Sequence, residues 1–314
     1  MGDGATHPNF ENNIFYLDSM SKILNVDFFK VVIPADMNLS FGEVLQKVIQ
    51  APAEQRFQEV RLHYVSLHEA VFGWQETWEG EIVRLRMDNI PVKANLAGKI
   101  EDFKLADDEG IGEQSAFIYH PATNILLLQS NKHGVSPGNF ARYFELIIGS
   151  NASIYIDPVI QLDALQRLEQ MKTVKKLNIS IAALENMSVF ENCGLEEFVN
   201  LTTAYQAPAI DIDFKVSRSK KSSLPLEKVR NATTSLLRIS NQNQNQVKKI
   251  RISGSSDDDD SLYVDLLKDK MRESIQIQAP KSQRNIPYLE RQKALRDAWE
   301  KRKSEILKMY GKIN

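Results

Sequence analysis

Residues 59–74, EVRLHYVSLHEAVFGW, and 79–87, EGEIVRLRM, alternate apolar with polar side chains. Successive side chains of a strand point to opposite faces, so this period of two reads as two strands of a half-exposed antiparallel sheet. Working outward, VDFFKVVIP (26–34) is β-branched and aromatic and stops at a proline, a further strand. SFGEVLQKVIQ (40–50) sets Phe41, Val44, Leu45 and Val48 at helical spacing behind a Ser40 cap. Downstream, the charged segment before Gly110 and Gly112 leads into the strand ending FIYH (117–120). NILLLQS (124–130) is placed to pair with it as a hairpin. NFARYFELIIG (139–149) then reads as a helix stopped by Gly149.

Beyond Gly149 strand and helix patterns follow in turn. They are SIYIDPVI, LDALQRLEQM, TVKKLNISIA, GLEEFVNLTTAY, PAIDIDFKVS and LPLEKVRNATTSLLRIS. VKKIRISG (247–254) and SLYVDLL (261–267) flank an aspartate run as a hairpin with an acidic tip. A last helix starts near Pro287, with Tyr288, Leu295, Trp299, Ile306 and Tyr310 forming one apolar stripe and Arg291 mostly off it. The mixture, without an even run of βα units, predicts an α+β fold of antiparallel or mixed sheets with flanking helices, in two subdomains with a C-terminal helix. The expected organisation is a flexible tail over 1–21, an α+β domain over 22–150, and a second over 151–314 that carries the terminal helix.

A length of 314 residues suits two domains. With 42% hydrophobic and 25% charged residues, collagen-like, mucin-like and wholly disordered classes are excluded. No apolar run approaches the roughly 18 to 20 residues of a spanning helix, and the polar start MGDGATHPNFENN is not a signal peptide. The single cysteine, Cys193, rules out a disulfide framework and a cysteine-cluster zinc site. The expected compartment is the cytoplasm.

The net charge of −2 hides an asymmetry. Residues 1–213 hold 16 Lys+Arg against 29 Asp+Glu, and residues 214–314 hold 23 against 12. Such a split points to an anionic partner for the basic part. The densest positive stretch, 214–254, has ten basic residues and one acid, Glu227. It contributes the candidate DNA-binding residues Lys215, Arg218, Lys220, Lys221, Arg238, Lys248, Lys249 and Arg251. In VKKIRIS the alternation sets Lys248, Ile250 and Ile252 on one face and Lys249, Arg251 and Ser253 on the other, so an exposed face would offer Lys249 and Arg251 to a phosphate backbone. Few aromatics interleave, which favours phosphate contact with a duplex over stacking on single strands. Asp257, Asp258, Asp259 and Asp260 form a candidate regulatory loop competing with phosphate for the basic strand.

Enzymatic motifs are sparse. There is no GxxxxGK[ST], GxSxG or HExxH. His63 and His68, five apart in a strand pattern, point to opposite faces. Cys193 is ringed by carboxylates, which disfavour its thiolate. Asp102 before Lys104 and Asp213 before Lys215 set an acid and a lysine on one strand face, as metal-dependent nucleases require, with Asp88 or Asp157 as the second metal-binding acid. The Asp107-Asp108-Glu109 cluster could join such a site, although solvated turn carboxylates explain it as well.

Leu105, Ala106, Asp107, Asp108, Glu109, Gly112, Ser115 and Phe117 resemble a stretch of the RexA-like phage-exclusion proteins of lambdoid lysogens. The likeness continues through the helix ending Ile148-Gly149, IYIDPVI, TVKKLNIS and the final helix with RKSEIL, patchily from about residue 100 onward. It implies an α+β homodimer that binds double-stranded DNA with little sequence preference and acts in anti-phage exclusion (abortive infection) with a membrane-protein partner. It implies no enzymatic activity, cofactor or metal. Arg251 then corresponds to the DNA-contacting strand, while the family's second basic position, two residues on, is Ser253 here. A metal-dependent nuclease and a protein-interaction module of a membrane-linked defence complex are the alternatives.

Overall fold

The computed structural model describes residues 19–34, 37–149, 153–182, 195–217, 222–242, 246–257, 261–280 and 285–311. In chain order its first elements are β1 (Ser19–Val32), α1 (Phe41–Gln50), β2 (Gln58–Val60), β3 (His63–Phe72), β4 (Trp78–Arg86), β5 (Lys93–Ala94), β6 (Ile100–Glu101), β7 (Ile111–His120), β8 (Ile125–Ser130) and α2 (Pro137–Ile148). There follow β9 (Tyr155–Pro158), α3 (Leu162–Gln170), β10 (Thr173–Ala182), α4 (Glu196–Ala204), β11 (Ala209–Lys215), α5 (Leu226–Gln242), β12 (Val247–Ser255), β13 (Leu262–Asp265), β14 (Arg272–Pro280) and α6 (Tyr288–Tyr310). The fold is α+β with antiparallel sheets and a C-terminal helix.

The strands read from residues 59–87 pair antiparallel as β3 and β4 inside an eight-stranded sheet. Its order is β14-β1-β8-β7-β4-β3-β2, with β9 added to β1. One face carries α1 and α2. Phe41, Val44, Leu45 and Val48 of α1 meet Phe140 and Phe144 of α2 over Phe117, Tyr119, Leu126 and Leu128. Ser40 caps α1 in a reciprocal box with Glu43, and Gly149, at φ 135, ends α2. The other face carries α6. Leu295, Ala298, Trp299 and Ile306 pack on Val26, Phe28, Ile118, Ile125 and Leu127. Because both faces are covered, Ile125–Leu128 reads as an unbroken apolar run, each residue at most 2% exposed.

Two expectations change here. The polar face of 79–87 is not solvated: Glu79 and Glu81, 5% and 2% exposed, lie under α6. There Arg296 binds Glu79 through two bonds of 2.7 and 2.6 Å, and Arg291 pairs with Glu81. Arg291 is therefore 4% exposed and part of the buried face of α6, because a buried carboxylate requires a cation opposite it. The domain division also differs. The expected 151–314 unit loses β14 and α6 to the large sheet, where β14 pairs with β1 from Ser19 to Asp27. Of the tail expected over 1–21, residues 19–21 belong to β1, and residues 1–18 lie outside the described residues.

The second sheet, of order β11-β10-β12-β13, is antiparallel throughout. Leu177, Ile179, Ile181, Ile250, Ile252 and Val264 on one face bury against Ala164 of α3 and Val229, Leu236 and Ile239 of α5. The chain passes between the two sheets at residues 158–162 and returns at 265–272. Ile160 bridges Lys270 there, and Met271 donates to the Val159 carbonyl at 2.7 Å. No helix among the described residues is long and apolar enough to cross a membrane.

Candidate nucleic-acid interface

α3, α4 and α5 all pack on one face of the four-stranded sheet; among the described residues no helix covers the opposite face, which carries charged and polar side chains. Registered antiparallel partners share a face, so its rows follow from the pairing. One row runs Lys215, Lys176, Ser253, Tyr263; the next Asp213, Asn178, Arg251, Asp265; the third Asp211, Ser180, Lys249. Lys249, Arg251 and Ser253 do share the helix-free face of β12, as their alternation predicts. Lys248 does not share the buried face with Ile250 and Ile252. Ser180 pairs with Lys249 while Ile181 pairs with Val247, so Lys248 is the extra residue of a bulge and is exposed.

Every cation of the rows has an aspartate beside it. Arg251 Nε donates to Asp265 Oδ2 at 2.8 Å, and this bond raises its pKa further above the ordinary arginine value. Lys215 and Lys176 approach Asp213 at 3.2 and 3.4 Å, and Asn178 also donates to it. The Lys215 contact is the main cause that holds the Asp213 carboxyl below its usual range. Lys249 lies 3.9 Å from Asp211. The basic strand is thus the middle of a ladder of ion pairs: those of Lys176, Lys215 and Lys249 are open to solvent, individually weak and screened by salt, whereas Arg251 is held by Asp265, whose carboxylate is buried.

Other candidates sit elsewhere. Arg238 belongs to α5 on the helix-covered side, where it grips Asp157 by two bonds of 2.7 and 2.9 Å and stacks 4.6 Å from the Tyr155 ring centroid. It holds α5 to β9 and does not join the open face. Arg218, Lys220 and Lys221 lie outside the described residues. The chain leaves at Ser217 and returns at Ser222, whose hydroxyls are 2.8 Å apart, beside the Lys176 and Lys215 end of the sheet. Asp258, Asp259 and Asp260 also lie outside. Asp257 pairs with Lys172, just before β10, rather than with Lys248, Lys249 or Arg251.

Lys172, Lys175 and Lys176 were not among the candidates. TVKKLNISIA repeats the pattern of VKKIRIS, down to a bulge within its lysine pair at Lys175, and that parallel was the available signal. Neither nuclease set takes the expected form: Asp102 and Lys104 follow the end of β6 and do not lie on a strand, and Asp213 and Asp157 stand apart. Asp213 is on the open face and Asp157 is held by Arg238 on the other side. Cys193 lies outside the described residues. Among the described residues no three His, Cys, Asp or Glu side chains gather in a metal-binding group. LADDE forms a turn into β7: Glu109 accepts from the Ala106 N–H at 2.9 Å and donates back to its carbonyl at 3.0 Å.

No curated protein matches the sequence. A family model does, along residues 21–294, which takes in most of both sheets and the start of α6. With that match spanning nearly the whole described fold, the chain belongs to DUF6731, a family of unknown function.

Proposed function

We propose that the chain binds double-stranded DNA through its phosphates, without sequence preference, on the helix-free face of the four-stranded sheet. The observation that carries this reading is the placement of Lys176, Lys215, Lys249 and Arg251 on one exposed face, with exposed Lys248 at its edge. The aspartate neighbours of Lys176, Lys215 and Lys249 do not block the role, since a phosphate oxygen can replace a solvent-exposed carboxylate with little cost; Arg251 keeps its Nε bond to buried Asp265 and would meet a phosphate through its terminal N–H groups. Tyr263, 45% exposed beside Ser253, is the one aromatic of these rows, which favours backbone contact over base stacking. The resemblance to RexA-like proteins supports the same strand, and extends the reading to a homodimer acting in phage exclusion beside a membrane partner.

The test is a salt-titrated binding assay on unrelated duplexes without divalent metal. Four phosphate contacts per protomer give a slope of log affinity on log salt near −3 to −4. Lys249→Ala with Arg251→Ala should weaken every duplex alike, by roughly tenfold at low salt, and flatten the slope by about 2. Wild-type affinity and slope in the double variant would refute the site. Cleavage of the duplex on adding Mg²⁺ would favour the nuclease instead.

A further inference from the structure

Between the two sheets, at the crossing of residues 158–162 and 265–272, lies a cleft of about 730 Å³, a volume that holds a nucleotide-sized molecule. Among the described residues five cations line it, Arg84, Lys132, Lys268, Lys270 and Arg272, against one acid, Asp27. Arg272 grips Asp27 through bonds of 2.5 and 2.8 Å, so the lining keeps a strong positive excess. Ser136 and Asn139, from the cap and first turn of α2, form part of the wall, and a helix start adds partial positive charge.

Two further observations point to a ligand. Asn139 is 8% exposed, and its Oδ1 is buried without a hydrogen-bond partner among the described residues; Arg84 Nε is in the same condition. A buried acceptor without a donor is costly, and native proteins keep such groups mainly where function uses them. Lys270 is also expensive to keep. It is mostly buried, with its Nζ 3.0 Å from Ser240 Oγ, and burial pushes its amine down to about 8. An anion in the cleft would favour its charged form, and a hydroxyl on that anion would supply the donor that Asn139 lacks.

We infer that this cleft binds a small phosphomonoester bearing hydroxyl groups, of the class of nucleoside monophosphates and sugar phosphates, with Lys270 and Arg84 on the phosphate side and Asn139 accepting from a hydroxyl. This site goes beyond the DNA reading and does not rest on it. It uses the gap between the sheets, whereas the DNA face is the outer surface of one.

Calorimetry on the full chain with AMP, ribose 5-phosphate, inorganic phosphate and ribose tests it. The two phosphomonoesters should bind saturably, inorganic phosphate more weakly, and ribose not at all. Lys270→Met should weaken AMP at least tenfold, and Lys132→Ala with Lys268→Ala should weaken it without touching the buried groups, while Lys249→Ala with Arg251→Ala should leave it unchanged. The proposal is overturned if wild type binds neither phosphomonoester, if the Lys270 and Lys132/Lys268 variants keep wild-type affinity, or if the loss appears instead in the Lys249/Arg251 variant, which would move the phosphate to the sheet face.

Discussion

Replacing Lys270 by methionine should stabilise the protein at neutral pH, by an amount that shrinks as the solution becomes alkaline. The amine is pushed from the ordinary 10.5 to about 8, first by burial; Arg272 of β14 adds to the shift and Asp27 of β1 opposes it. Between pH 8 and 10.5 the unfolded chain therefore binds more protons at this lysine than the folded one does. Stability rises with pH across that window, and below 8 the folded state carries the whole penalty. At about 1.4 kcal/mol per unit, the penalty is about 3 kcal/mol. Methionine keeps most of the apolar stem and removes the charge. It also loses the polar contacts of the amine, the bond to Ser240 among them, though Ser240 Oγ still donates to the Leu237 carbonyl at 2.8 Å and is not orphaned. The expected gain at pH 7 is about 2–3 kcal/mol, read as a higher urea midpoint at unchanged slope and fading towards zero near pH 10.5. Other titrating groups cancel in the comparison with wild type. A variant less stable at pH 7, or a difference that stays constant from pH 7 to 10.5, would show that Lys270 is well solvated and remove one support of the cleft's assignment.

Two other outcomes follow from the ion pairs. Asp211→Asn, Asp213→Asn and Asp265→Asn together free Lys249, Lys215, Lys176 and Arg251 from their carboxylates, so duplex affinity should rise several-fold at low salt and the gain should fade as salt is added, measured by fluorescence anisotropy. Arg291→Ala leaves Glu81 charged and buried under α6 and should cost about 3–5 kcal/mol in chemical denaturation, whereas replacing both residues by leucine should cost much less.

Local patterns were legible wherever the residues that decide an element sit within it. The Ser40 cap, Gly149, and the alternation of TVKKLNISIA and VKKIRISG each act over a few residues, and the elements appear where those signals stand. Polar residues misled where their partner is distant. Glu79 and Glu81 carry the mark of a solvated face because polarity does not say whether water or an arginine over 200 positions later will answer it. Arg238 counted as a free surface charge for the same reason, its partner Asp157 being 81 residues away.

The sequence by itself determined the α+β class, the succession of most strands and helices, and the charge imbalance that singles out residues 214–254. It also determined that Lys249 and Arg251 share a face, because side-chain alternation is a property of a single strand. Only the tertiary structure decided that β14 and α6 return to the first sheet, that aspartates of β11 and β13 stand beside the cations of β10, β11 and β12, and that Lys270, Arg84 and Asn139 line one cleft. Each of these depends on strand register and on packing between segments far apart in the chain, which no local pattern of side chains specifies.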